Sequence, residues 1–258
     1  MSDPREYKTE AIVIRKTKLG EADSILTFFT PHLGKIQGFA KSLRKPRSKM
    51  AGHLELLTHS TVSFSRGRNL DTITGAQTIN AFLPLRSDLW LTSCGLYVAE
   101  LVNQFTAEHQ EHYPLFQLTI ETLQRLCQEN NKELTLRYFE LHLLESAGYR
   151  PQLRECVACH KALGPVSNAF SAAAGGMLCP ACNPSSRSFS YPLTVNAQKV
   201  LRLLQGDDFS GVGRLKIEED LARELESVIS GYLKHILERE VKSAAWLDTL
   251  REQRQQLH

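Results

Sequence analysis

Cys156-Val157-Ala158-Cys159 and Cys179-Pro180-Ala181-Cys182 are the two stretches on which the reading of this chain turns. Nineteen residues lie between them, and paired C-x-x-C turns at that separation have the spacing of a four-thiolate zinc site. Each pair closes a tight turn that aims two sulfurs at one point, and two such turns complete a tetrahedral shell. Gly175-Gly176, just ahead of the second pair, lets the backbone bend sharply there. The expected ligands are Cys156, Cys159, Cys179 and Cys182. A complete thiolate shell leaves no position for water or substrate, so the expected zinc is structural.

Outward from this module the chain is that of an ordinary globular protein. Its 258 residues, 42% hydrophobic and 23% charged, suffice for one large domain or two to three small ones. Nothing resembles a run of about 18 apolar residues, so no membrane-spanning helix is expected. The start, Met1-Ser2-Asp3-Pro4-Arg5-Glu6, lacks an apolar signal core, and a cytoplasmic protein is expected. Six cysteines in a reducing compartment argue for metal over disulfides. Cys94 and Cys127, set among apolar residues at helical spacing, read as core thiols. The net charge of +3 hides an asymmetry. Residues 1–80 hold 13 Lys and Arg against 7 Asp and Glu, a net of +6, and the remainder is at −3. A positive field concentrated in the first third addresses an anionic partner.

Residues 9–79 read as five short strands with turn signals between them. The expected strands are Ala11–Ile14, Ile25–Phe29, Lys35–Ala40, about Leu54–Phe64, and Leu70–Ile79. Five antiparallel strands in so short a span suit a small closed barrel, the OB-fold. Between the third and fourth strands runs Lys41-Ser42-Leu43-Arg44-Lys45-Pro46-Arg47-Ser48-Lys49, with five cationic residues of nine and none acidic. Such a loop, expected to be flexible, suits phosphate backbone, which rewards charge and ignores sequence. Arg66 and Arg68 on the next hairpin, with Arg15, Lys16, Lys18 and Lys35, extend the basic patch, and Phe39 or Phe64 is a candidate for stacking on bases.

From about Ser87 the period changes to 3.6. Leu91 to Phe105 marks one helix, and Phe116 to Cys127 a second, beginning after Pro114. Leu134 to Ala147 is a third, apolar on more than one face and hence central, with Gly148 as its C-cap and Pro151 barring resumption. After a Pro184-Ser185-Ser186 linker, helices are expected at Val195–Leu204 and Ile217–Val241, the latter supported by Glu219–Arg223 and Glu238–Lys242 pairs. Gln253–Gln256 reads as a disordered tail. The class is therefore α+β: an OB-fold over 1–80, a helical domain over 81–154 and 186–250, a four-cysteine zinc module at 155–185 between its parts, and a tail at 251–258.

No catalytic constellation emerges. His53-Leu54-Glu55 lies about a hundred residues before the first C-x-x-C, and neither pair has proline ahead of its first cysteine, so a zinc-deaminase signature fails. Gly34 to Ser42 misses the phosphate-loop register. His160, beside Cys159, reads as a solvated surface residue in preference to an alternative metal ligand. The chain does not read as an enzyme.

These residues resemble the RecO family of bacterial DNA repair proteins, which are recombination mediators. Ala40–Lys49 is similar to the family's basic loop, with Ser42 where glycine is common. Gly148-Tyr149-Arg150-Pro151-Gln152-Leu153 resembles the approach to its zinc module, the C-x-x-C pairs with Phe170 and Gly175-Gly176 between them follow its pattern, and Lys242-Ser243 resembles a C-terminal signature. The resemblance implies binding of single- and double-stranded DNA, annealing of complementary strands, and help in loading recombinase onto coated strands. It implies RecR and the C-terminal tail of single-stranded DNA-binding protein as partners, the latter in the helical domain. It places DNA contacts on Lys35, Lys41, Arg44, Lys45, Arg47 and Lys49, with Arg66 and Arg68. Two other readings of the residues stand beside it: a zinc-stapled adaptor that only holds proteins, and an RNA-binding regulator without annealing activity.

Overall fold

The computed structural model describes residues 5–128, 131–183, 190–206 and 209–255. Five strands open the chain: β1 (Glu6–Leu19), β2 (Asp23–Thr30), β3 (Gly34–Ala40), β4 (His59–Ser65) and β5 (Asp71–Asn80). They close into a barrel in the order β1-β2-β3-β5-β4, with β4 returning to β1, the OB-fold that the strand pattern predicted. All pairings are antiparallel except β3–β5, which run parallel through Gly38–Asp71 and Phe39–Thr72. Inward residues alternate along each strand. Ala11, Val13, Leu26, Phe28, Ile36, Val62, Phe64 and Ile73 form one buried cluster. Gly38 belongs to this interior for lack of a side chain: a Cβ there would stand 2.8 Å from Phe64 and 2.9 Å from Ile73.

Two strands differ from expectation. β1 is fourteen residues long, not four, because only its middle is apolar on both faces and its ends carry charge outward. β4 begins at His59, not Leu54. Leu57 sits at φ +65°, its N–H bonded to the Val13 carbonyl, and Ala51–His53 is a 3-10 turn. This segment folds across the barrel's end and drives Leu54, fully buried, into the core.

The helices are α1 (Pro84–Ser87), α2 (Leu89–Phe105), α3 (Tyr113–Gln128), α4 (Lys132–Ser146), α5 (Val195–Leu204), α6 (Phe209–Gly213), α7 (Glu219–Leu237) and α8 (Lys242–Gln255). Asp88, Asn131 and Thr194 cap α2, α4 and α5 through their side chains. α4 is buried on most of its girth, as its all-round apolar pattern predicted. It ends at Gly148, φ +83°, where the Tyr149 N–H reaches back to the Leu144 carbonyl. The helix expected over Ile217–Val241 is α7, which stops at Leu237, and α8 beyond it matches no helix expected from the sequence. Glu238 adopts φ +53°, and α8 starts afresh at Lys242, so Glu238 and Lys242 lie on either side of the break and form no helical i,i+4 pair. Residues 253–255 continue α8 instead of forming a tail. The Pro184-Ser185-Ser186 linker and Gln256 lie outside the described residues.

The chain forms two compact units, Met1–Cys127 with Lys242–His258, and Gln128–Val241. The first holds the barrel, α1–α3 and α8. In the second, α4, α5, α6 and α7 accompany a three-stranded sheet of β6 (Asn168–Ser171), β7 (Gly176–Leu178) and β8 (Ser190–Leu193), in the order β7-β6-β8. Among the described residues no helix is long and apolar enough to cross a membrane.

Filling the space at Gly38 tests the barrel's packing. Gly38→Val should destabilise the protein by about 1–3 kcal/mol through overpacking, read as a lower urea midpoint; an unchanged midpoint would contradict the packing described.

Candidate nucleic-acid interface and metal centre

The cationic loop after β3 is built, not slack. Leu43, third of the loop's nine residues, is 1% exposed and belongs to the barrel core, so it plugs the loop's first part into the barrel. Ser42, at φ +55°, gives its N–H to the Asp23 carboxylate at 2.6 Å, and the Arg44 N–H goes to the Ala22 carbonyl at 2.9 Å. Turns follow, from Lys45 N–H to Ser42 O and from Ser48 N–H to Lys45 O. The expectation of a flexible loop is thus corrected: buried leucine and backbone hydrogen bonds hold it.

This framework sorts the predicted cations. Lys41, Lys45, Arg47 and Lys49 are exposed, as is Arg68 on the β4–β5 hairpin. Among the described residues none of the five is in an ion pair. Arg44 is half-buried and its guanidinium donates to the Gly20 carbonyl. Lys35 donates to the Asn103 carbonyl at 2.7 Å, and burial lowers its pKa despite the nearby Glu108. Arg66 lies over the Tyr7 ring, 5.1 Å from its centroid. Of the flanking cations, Arg15 and Lys18 are exposed, whereas Lys16 pairs with Glu55 at 2.9 Å.

The aromatic candidates separate as well. Phe64 is fully buried and stacks on Tyr7 at 5.0 Å within the barrel, so it is unavailable to a base. Phe39 is half-buried on the barrel's outer face, opposite Ile25 of β2 and Thr72 of β5. Sequence reasoning missed Asp71. Its carboxylate accepts the Tyr7 hydroxyl at 2.7 Å and the Gly67 N–H at 3.0 Å, pinning the hairpin that carries Arg66 and Arg68. The only signal was an acid four residues after a hairpin glycine, which by itself is common.

In the second unit, two turns bring four sulfurs together. The Cys156 N–H bonds to the Lys161 carbonyl and the Cys156 carbonyl accepts from His160 N–H, closing the first turn. In the second, Cys182 and Asn183 both donate to the Cys179 carbonyl. Val157 N–H to Met177 O and Met177 N–H to Gln152 O hold the turns side by side. Gly176 permits this approach, since a Cβ there would lie 2.6 Å from the Gln152 carbonyl oxygen. The ligand atoms of Cys156, Cys159, Cys179 and Cys182 all lie within 4.8 Å of one another, with Cys159 and Cys179 sulfurs at 3.9 Å. Metal–sulfur bonds of about 2.3 Å in a tetrahedron set sulfurs about 3.8 Å apart. The donor set fits a metal ion. His160 is exposed and outside the cluster.

Crowding shows in the thiols' acidities. Burial opposes ionisation of Cys156, but backbone N–H groups of Cys179, Cys159 and Ala158 outweigh it and bring its pKa down to about 6. Hydrogen bonds to the sulfurs of Cys179 and Cys159 push Cys182 up to about 12. Cys156 thus gives up its proton readily and Cys182 holds its own. A bound cation removes that opposition.

Comparison with known proteins places this geometry. A family profile described as Recombination protein O N terminal matches residues 1–82, and one described as Recombination protein O C terminal matches residues 86–245. The chain belongs to the RecO family. The DNA repair protein RecO of Dehalococcoides mccartyi (strain CBDB1) is 48% identical over 251 residues, spanning 97% of this chain and 98% of that protein. That of Roseiflexus sp. (strain RS-1) is 42% identical over 248 residues, spanning 96% and 87%. The one from Halalkalibacterium halodurans is 30% identical over 244 residues, spanning 95% of each. The resemblance read from the basic loop, the cysteine pairs and Lys242-Ser243 is therefore a true membership, and this RecO-family chain keeps all four cysteines in one cluster.

Replacing two ligands at once tests the cluster. Cys156→Ser with Cys179→Ser should abolish stoichiometric metal in the purified protein and lower its melting temperature, because metal binding is coupled to folding in such modules. A double variant as stable as the parent would show that the cluster organises nothing.

Proposed function

We propose that this chain is a non-enzymatic DNA repair and recombination mediator, cytoplasmic, that binds single- and double-stranded DNA through its barrel. The observation that carries this reading is the set of exposed cations, Lys41, Lys45, Arg47, Lys49 and Arg68, on a loop and hairpin fixed by the barrel, without acidic partners among the described residues. Phosphates gain most from cations that already lack a counter-charge, and binding releases condensed counterions. Lys35, Arg44 and Arg66, named by the family resemblance, take a lesser part, because each is engaged within the protein.

Backbone neutralisation is the mechanism. Cations on a rigid surface reduce repulsion between two strands, so complementary bases meet and anneal. Membership of the RecO family supports the finer expectations: RecR and the C-terminal tail of single-stranded DNA-binding protein as partners, and assistance to the recombinase on coated strands. The metal is zinc, which four thiolates favour. With its shell complete it supplies no chemistry and staples the second unit.

DNA binding in a salt series measures the loop's share. Lys45, Arg47 and Lys49 together changed to alanine should weaken binding to a fluorescent single strand and reduce the slope of log K against log salt by about 2, since each neutralised phosphate of a single strand contributes about 0.7. An unchanged slope would remove the loop from the interface.

A further inference from the structure

α8 meets α2 at Glu100, beside its N-terminus, and at Trp90, beside Arg251. The Lys242 and Ser243 N–H groups donate to the Glu100 carboxylate, to Oε1 at 3.1 Å and Oε2 at 2.8 Å, and the Ser243 hydroxyl donates to Oε2 at 2.6 Å. The first N–H groups of a helix have no partner within it, and a carboxylate there satisfies them and complements the positive end of the helix dipole. Glu100 is thus an N-terminal cap supplied by another helix. Gln104, one turn on, steadies it by donating to Oε1 at 2.8 Å. Two turns and more along α8, the Arg251 guanidinium lies over the Trp90 ring, 5.5 Å from its centroid. Between these contacts Leu247 and Leu250 are buried, while Trp246 is 54% exposed. The chain enters α8 from Glu238, a non-glycine residue in the left-handed region.

We propose that α8 is a releasable strap, with Glu100 as its latch and residues 238–241 as its hinge. It lifts from α2 as a unit while the barrel stays closed, and in doing so lays bare the α2 surface around Trp90. The barrel's ladder runs through all five strands without α8, so release breaks no strand pairing. Segments with few buried apolar contacts open at lower free energy than the fold as a whole, and α8 has two buried leucines along its described length after Lys242. The proposal also gives Lys242-Ser243 a role that DNA contact does not. These residues supply the two amides and the hydroxyl that the Glu100 carboxylate receives.

Hydrogen exchange on the full-length chain, followed by mass spectrometry, tests the strap. The two tryptophans of the chain are Trp90 and Trp246, one on each helix, so intrinsic fluorescence reports the same event. In Glu100→Ala the amides of residues 242–251 should exchange at least tenfold faster, with those of β1–β4 unchanged and tryptophan emission shifted to the red. Ser243→Ala, a milder change that leaves both α2 and the backbone amides intact, should shift α8 exchange in the same direction by less. The strap is overturned if α8 exchanges in step with the barrel in the parent and in both variants. It is equally overturned if exchange in α8 stays at the parental rate when Ser243 or Glu100 is replaced.

Discussion

Burial of Leu43 is the constraint on which the proposed nucleic-acid surface depends. A run with five cations in nine residues repels itself and gains nothing from a protein core. One leucine at its third position, in the same barrel cluster as Ala40, Leu54 and Phe28, fixes the run nonetheless. The backbone bonds of Ser42 and Arg44 then set which side chains turn outward. Lys41, Lys45, Arg47 and Lys49 are left facing solvent. Preorganised charge of this kind loses little conformational freedom when a phosphate arrives, which favours affinity for any sequence.

The second unit depends on a different constraint. Its three-stranded sheet is short, and the two cysteine turns are bound to it through Gln152, Val157 and Met177. Four sulfurs lie within 4.8 Å of one another, where one shared ion would supply the closure that so small a sheet lacks. In the same unit, Arg137 on α4 is buried between Glu140 and Glu226. Removing one member of such a buried group costs far more than its net contribution, since a charge is left without compensation.

Much of this was legible in the residues. The barrel could be read because short apolar or alternating runs are set apart by turn signals, and the cysteine turns because their spacing admits few other purposes. Gly148 signalled the end of α4 since no other residue adopts φ +83° so cheaply. What escaped was tertiary. The break at Glu238 is invisible to periodicity, because the apolar rhythm of α7 resumes in α8 and glutamate does not advertise a left-handed turn. Arg137 and Glu140 stand on a helix already read as central, but nothing in their spacing announces Glu226, from α7, as the second carboxylate on Arg137. The cations Lys35 and Arg44 resembled their neighbours in composition, and only the carbonyls of Asn103 and Gly20, far off in sequence, withdraw them from solvent.

Lysine acetylation footprinting of the full chain, with and without a saturating single-stranded oligonucleotide, tests the central claim most directly. Lys41, Lys45 and Lys49 should be protected by DNA, while Lys16 and Lys35, already engaged with Glu55 and Asn103, should react slowly in both states. Protection confined to lysines of the second unit, with Lys45 and Lys49 labelled equally in both states, would contradict the account.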